Sequence, residues 1–176
     1  MVVFKCEPFN SLNIDELHSI LALRSEVFVV EQNCVYQDID GKDKNALHIT
    51  GYLNEEIVAY ARIFDKGVIY PEYCSIGRIA TSFSERGKKH GNQLVEFSIK
   101  QCYKIFNSRA IKISAQAHLE KFYGHHGFYA SGESYLEDGI PHIGMLLSNS
   151  FQVFCLKNKI SVSSINSAVK GNFLPL

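Results

Sequence analysis

The chain has 176 residues, 46% hydrophobic and 20% charged, with 18 Lys and Arg balancing 18 Asp and Glu. That length suits a single domain with a real core, and the balanced charge argues against the cationic surface that nucleic-acid or membrane-surface binding needs. Five scattered cysteines (Cys6, Cys34, Cys74, Cys102, Cys155) without a Cys-x-x-Cys pair, no apolar run of membrane-spanning length and no basic-then-apolar leader lead to the expectation of a reduced, cytoplasmic protein.

Val2 to Cys6 suits a first strand. Asn13 to Val30 reads as a helix: Asn13 caps it, Glu16 stands three residues on as in a capping box, and Leu17, Leu21, Arg24 and Phe28 keep helical spacing. Residues 31 to 46 are polar and turn-rich, a loop. Leu47 to Leu53 and Ile57 to Phe64 form a hairpin turning at Asn54-Glu55. After a connection containing Pro71 comes a strand at Ser75 to Ala80. The helix expected from about Lys88 to Phe106 buries Leu94, Val95, Ile99, Cys102 and Phe106. With a buried strand at Ile111 to Ala115 it makes a βαβ unit with parallel strands. A short helix, Leu119 to His125, stops at Gly127, and strands Phe128 to Leu136 and Ile140 to Leu147 turn at Asp138-Gly139. The domain is expected over 1–148, with a Ser-, Asn- and Lys-rich tail over 149–176, partly disordered or holding one short element.

The segment between the strand at residue 75 and the helix near residue 90 carries the most chemistry. A small basic loop, Arg86-Gly87-Lys88-Lys89-His90-Gly91-Asn92, leads into a helix N-terminus. Backbone N–H groups converge there, and the helix dipole adds partial positive charge. That is the physical description of a phosphate cradle. A solvated basic turn is the plainer alternative.

The order of elements resembles the GNAT superfamily of N-acetyltransferases. The segments Glu31 to Gly41, Ile76-Gly77-Arg78-Ile79, Ala115-Gln116-Ala117-His118-Leu119 and Glu137 to Met145 look like its ElaA subfamily, over roughly residues 10 to 148. The resemblance implies a mixed α/β fold: a strongly twisted, mostly antiparallel sheet with one splayed parallel pair, flanked by helices. It implies acetyl-CoA as co-substrate and no metal. Arg86, Gly87, Lys88, Lys89, His90, Gly91 and Asn92 would hold the pyrophosphate, and the backbone of Ile79, Ala80 and Thr81 would pair with the pantetheine arm as an added strand does. The superfamily loop usually has glycine where this chain has Lys89; close approach of the backbone is expected if Lys89 keeps a negative φ.

Lys121-Phe122-Tyr123-Gly124-His125-His126-Gly127-Phe128 resembles the family's Tyr-x-x-x-Gly-Phe segment. There the tyrosine sits near the thioester sulfur, and a phenol can protonate a thiolate leaving group. A core-edge tyrosine is the alternative. The acceptor is expected to be a primary amine on a small molecule or peptide, attacking directly in a ternary complex. The sequence does not name a base: Glu31, His48, Glu72, Glu133 and His142 qualify by residue type. His142 draws attention for its ordinary pKa near 6.5, while a structural histidine, a water relay or attack by neutral amine stay open. Glu31, Asp38 and Asp40 offer charge to a cationic amine, although loop solubility and turn bonds account for Asp38 and Asp40 at least as well.

Asp38-x-Asp40-Gly41-x-Asp43 hints at a calcium loop, yet the fifth position is Lys42 and the twelfth Ile49. The histidines lack zinc spacing with any cysteine. A nucleotide enzyme lacks Gly-x-x-x-x-Gly-Lys-Ser/Thr. A non-catalytic acyl-CoA-binding or sensor module is the rival reading, and a homodimer through edge strands or the tail is compatible with either.

Overall fold

A computed structural model describes residues 1–107 and 110–148; the expected tail from 149 lies outside the described residues. The chain packs as two compact units, one ending at Ser108 and the other beginning at Arg109.

In the first unit, four antiparallel neighbours run in the order β1 (Val3–Pro8), β2 (Leu47–Leu53), β3 (Glu56–Phe64) and β4 (Cys74–Thr81). The β2–β3 turn sits where its polar residues predict: Asn54 (φ 51°) and Glu55 (φ 69°) both take the left-handed conformation that suits a two-residue hairpin. β3 is covered on both faces. Side chains alternate across a strand, so Tyr60 and Arg62 face helix α1 (Ile14–Arg24) and its following loop, while Ala59, Ala61 and Ile63 face the other side. Phe4 is in register with Gly51, and Gly51 with Ala59; the Phe4 ring stacks at 5.4 Å on Phe97 of helix α2 (His90–Ile105), which therefore lies on the face opposite α1. A side chain at Gly51 would put its Cβ 2.7 Å from the Phe4 ring, so only glycine fits there.

The N-terminus of α1 forms as its sequence predicts. Asn13 Oδ1 accepts from the Glu16 amide at 2.8 Å and Glu16 Oε2 accepts from the Asn13 amide at 3.0 Å. Its far end differs. The α-helix stops at Arg24 and six residues, Ser25–Val30, continue as a wider π turn, closed by the Glu31 amide donating to the Glu26 carbonyl at 2.9 Å. α2 places Leu94, Val95, Ser98, Ile99 and Cys102 inward, as its periodicity predicts, but Phe106, expected to be buried with them, lies just past the helix end and is only half-buried.

In the second unit, β5 (Ala110–Gln116), β7 (Ile140–Ser148) and β6 (Tyr129–Glu137) are antiparallel neighbours in that order. Alternation along β5 buries Ile111, Ile113 and Ala115. The β6–β7 turn is Asp138-Gly139, again with both φ positive. A one-turn 3-10 segment, Ala117–Leu119, leads into α3 (Glu120–His125). Of the two strands expected to form the parallel pair, β4 is the last strand of the first unit and β5 the first strand of the second.

Candidate active site

The basic loop is built by a sequence of backbone constraints. After β4, the Ser82 amide donates to the Val58 carbonyl at 2.9 Å, and a single 3-10 turn, Phe83–Glu85, reverses the chain. Arg86 is extended, Gly87 has φ 78° and Lys89 has φ 68°. α2 begins immediately after, with no side chain capping its N-terminus; its first intrahelical bond is Gln93 N–H to Lys89 C=O at 3.2 Å. The condition set for Lys89, a negative φ, is therefore not met. Lys89 adopts the conformation that glycine takes more readily, so the backbone turns as a glycine there would turn it, and an ammonium group is added.

The loop's charges are partly internally balanced. Lys88 Nζ meets Glu85 Oε1 at 2.8 Å and His90 Nε2 meets Glu85 Oε2 at 3.3 Å. The hydrogen bond from Lys88 is the main reason that the Glu85 carboxyl titrates below its ordinary range. Arg86 Nε donates to the Thr81 carbonyl at 3.2 Å, its guanidinium lies 5.4 Å from the Phe83 ring, and Nη2 donates to Glu31 Oε2 at 2.6 Å. Lys89 has no partner among the described residues. An uncapped helix start, two left-handed residues and a free ammonium make a site that fits a phosphate group.

β4 is itself distorted just upstream. Tyr60 pairs with Ala80 and Arg62 with Gly77, so Ala61 alone faces both Arg78 and Ile79. This is a β-bulge, and Arg78 takes φ 53° in it. The Arg78 side chain anchors the distortion: Nε donates to Asp38 Oδ1 at 2.6 Å and the guanidinium packs between the rings of Phe28 and Tyr36.

Asp38 belongs to an ionic network that sequence reading missed. Arg24, fully buried, donates to Asp38 Oδ2 at 2.9 Å and to Asp43 Oδ1 at 2.8 Å. Arg62, 3% exposed, donates to Asp43 Oδ1 at 2.7 Å and to both oxygens of Asp40. Burial is the largest single influence on Asp40 and would raise its pKa, but the hydrogen bonds from Arg62 and the Lys42 amide, with the charges of Arg62 and Arg78, together outweigh it and hold the carboxyl well below the carboxylate range. The carboxylates that resemble a calcium loop, and that were offered to a cationic amine or to solvent, are instead ion partners that fasten residues 38 to 43 to α1, β3 and β4. The run of aspartates was the visible signal; the partner arginines lie too far along the chain to be matched by spacing.

The network also engages His48. Its Nε2 donates to the Asp43 carbonyl at 3.0 Å and its Nδ1 accepts from the Tyr60 hydroxyl at 2.8 Å. With both nitrogens committed, and its pKa lowered chiefly by burial, His48 is a structural residue and not a base. Glu31 is likewise taken up by Arg86. Glu72 and Glu133 are exposed.

In the second unit, Tyr123 is fixed by the end of α3. The Gly127 amide donates to Gly124 C=O at 3.1 Å and the Phe128 amide to Tyr123 C=O at 3.2 Å, with Gly127 at φ 90°. This is a Schellman motif, and its apolar contact is Tyr123 against Phe128, centroids 6.1 Å apart. The Tyr123 hydroxyl has no partner among the described residues, and burial pushes its pKa up to about 12. His142, on β7, donates through Nδ1 to the Ile140 carbonyl at 2.8 Å, since a carbonyl only accepts, so in the neutral ring the lone pair is on Nε2. Tyr135 stacks on this ring at 6.3 Å, and its hydroxyl donates to Ser114 Oγ, which donates to Glu137.

These features define a class: a mixed α/β domain with a bulged strand running through a basic loop into an uncapped helix start. Residues 15–148 match the model of the Acetyltransferase (GNAT) domain, and the chain belongs to that superfamily. It is 46% identical over 138 residues to protein ElaA of Escherichia coli, spanning 77% of this chain and 90% of ElaA. The crystal structure of Escherichia coli ElaA superposes with a TM-score of 0.78 at 42% identity, covering 84% of this chain and all of that one. An acyl-CoA N-acyltransferase from Pseudomonas aeruginosa gives the same TM-score and coverage at 38% identity. A Bacillus subtilis acetyltransferase in complex with CoA shares the fold at TM-score 0.61 and 18% identity, covering 84% of this chain and 99% of that one. The mixed α/β GNAT fold expected from the sequence is the fold of this protein.

Proposed function

We propose that this protein transfers an acetyl group from acetyl-CoA to a primary amine, on a small molecule or a peptide, by direct attack in a ternary complex. The observation that carries the reading is the uncapped start of α2, with Gly87 and Lys89 left-handed and Lys89 unpaired among the described residues. In this reading the loop from Arg86 to Asn92 holds the diphosphate of the coenzyme, and backbone groups of Ile79, Ala80 and Thr81, next to the bulge, pair with the pantetheine arm. The thioester supplies an activated acyl group when bound; the chain's residues orient it and manage two protons. His142 Nε2 takes a proton from the attacking amine as the C–N bond forms. The Tyr123 phenol gives a proton to the sulfur as the C–S bond breaks. Binding both reactants in one orientation supplies much of the acceleration. Glu31, paired with Arg86, is the less suitable base. The cysteines Cys6, Cys34, Cys74 and Cys102, none of them in a disulfide among the described residues, support a reducing, cytoplasmic setting.

The test is release of free CoA from acetyl-CoA by the purified full chain, measured against a panel of amines, peptides and aminoglycosides. Amine-dependent release with a matching acetylated product is expected. Tight coenzyme binding without transfer to any acceptor would replace the enzyme with the sensor reading.

A further inference from the structure

We infer that Glu31 is the resident counter-ion of the coenzyme loop, held by Arg86 until the coenzyme's diphosphate takes its place. The inference rests on the reading of the loop from Arg86 to Asn92 as the diphosphate site. Arg86 has two anchors that stay put: Nε on the Thr81 carbonyl, at the end of β4, and the Phe83 ring under the guanidinium. The other end of the guanidinium, Nη2, is turned to Glu31.

Glu31 reaches that position because of the π turn. Its amide bonds back five residues, to Glu26, in place of four. One extra residue in a turn rotates the downstream residues by about 100° around the axis, so an unbroken α-helix would aim residue 31 elsewhere. Such turns recur at functional sites. The pairing joins residues 55 apart in sequence, whereas Glu85, the acid just before the loop, pairs among the described residues with Lys88 and His90 beside it. Glu85 moves with the loop; Glu31 ties the loop to a different element.

The pair is built to exchange. The side chains are 43% and 25% exposed, so water screens their attraction and the bridge adds little net stability. A guanidinium facing phosphate oxygens makes paired, charge-assisted hydrogen bonds that are stronger. A carboxylate left against a diphosphate would repel it. Coenzyme binding therefore releases Glu31 and frees the segment that continues from the π turn.

The experiment is calorimetric titration of CoA into the full chain and its variants at low and high salt. Glu31→Gln is expected to tighten CoA binding about 2–5-fold, the range an exposed ion pair spans, with the gain shrinking at high salt. Glu31→Asp, which keeps the charge, stays near the parent. Arg86→Gln weakens binding, and in that background Glu31→Gln loses most of its gain. Unchanged or weaker binding in Glu31→Gln, or a gain that persists in full without Arg86, would overturn the exchange. Failure of the unsubstituted protein to bind CoA would overturn the coenzyme reading and this inference with it, so the two failures are distinguishable.

Discussion

Arg24 grips Asp38 twice: Nε donates to the carboxylate at 2.9 Å and Nη2 to the backbone carbonyl of the same residue at 2.9 Å. Arg24 is fully buried and Asp38 is 7% exposed. A guanidinium is tolerated there only because its donors meet acceptors and its charge meets carboxylates. Asp38→Asn keeps the shape and removes the charge that faces both Arg24 and Arg78. Breaking a buried pair from one side is expected to cost about 3–5 kcal/mol, read as a large fall in the urea midpoint, while Asp15→Asn on the exposed start of α1 changes it little. An unshifted midpoint in Asp38→Asn would mean that the network is not holding the loop.

The His48–Tyr60 bond gives the network a pH dependence. Burial lowers the His48 pKa in the folded chain, whereas the unfolded chain takes up a proton near pH 6.5. Below that pH the unfolded state binds more protons, so stability is intact above it and falls as the solution is acidified. The urea midpoint is expected to drop between about pH 7 and 5.5. His48→Gln should be less stable at pH 7.5 yet lose most of that slope. The same slope in both proteins would assign the acid sensitivity to other groups.

What could be read in advance was the local chemistry. The capping box at Asn13 and Glu16, the turns at Asn54-Glu55 and Asp138-Gly139, and the glycine ending α3 each depend on residues within a few positions of one another. The stripe on α2 follows from burial with a fixed period. The π turn did not show, because Ser25 to Val30 is equally suited to an α-helix and only the fitting of neighbouring elements decides the extra residue. Lys89 misled for a related reason: lysine prefers a negative φ by sterics, and here the turn into α2 overrides that preference. Arg24, Arg62 and Arg78 carry no local mark of burial; each is explained only by aspartates up to 40 residues away.

Tyr123 permits a clean separation of binding from chemistry. Its ring is held at the end of α3 by the Schellman turn and by edge contacts with Phe122, at 5.1 Å, and Phe128. The hydroxyl holds no protein partner among the described residues, so Tyr123→Phe leaves every described contact of the ring in place. A pKa pushed up to about 12 keeps the phenol protonated at neutral pH, the state in which it can donate to a departing sulfur. Turnover in Tyr123→Phe is expected to fall about 100-fold or more, with CoA affinity and the urea midpoint nearly unchanged. Steady-state kinetics at saturating acetyl-CoA and CoA titration measure the two halves. Unchanged turnover would remove Tyr123 from the chemistry; a parallel loss of CoA affinity would move it from proton transfer to coenzyme binding.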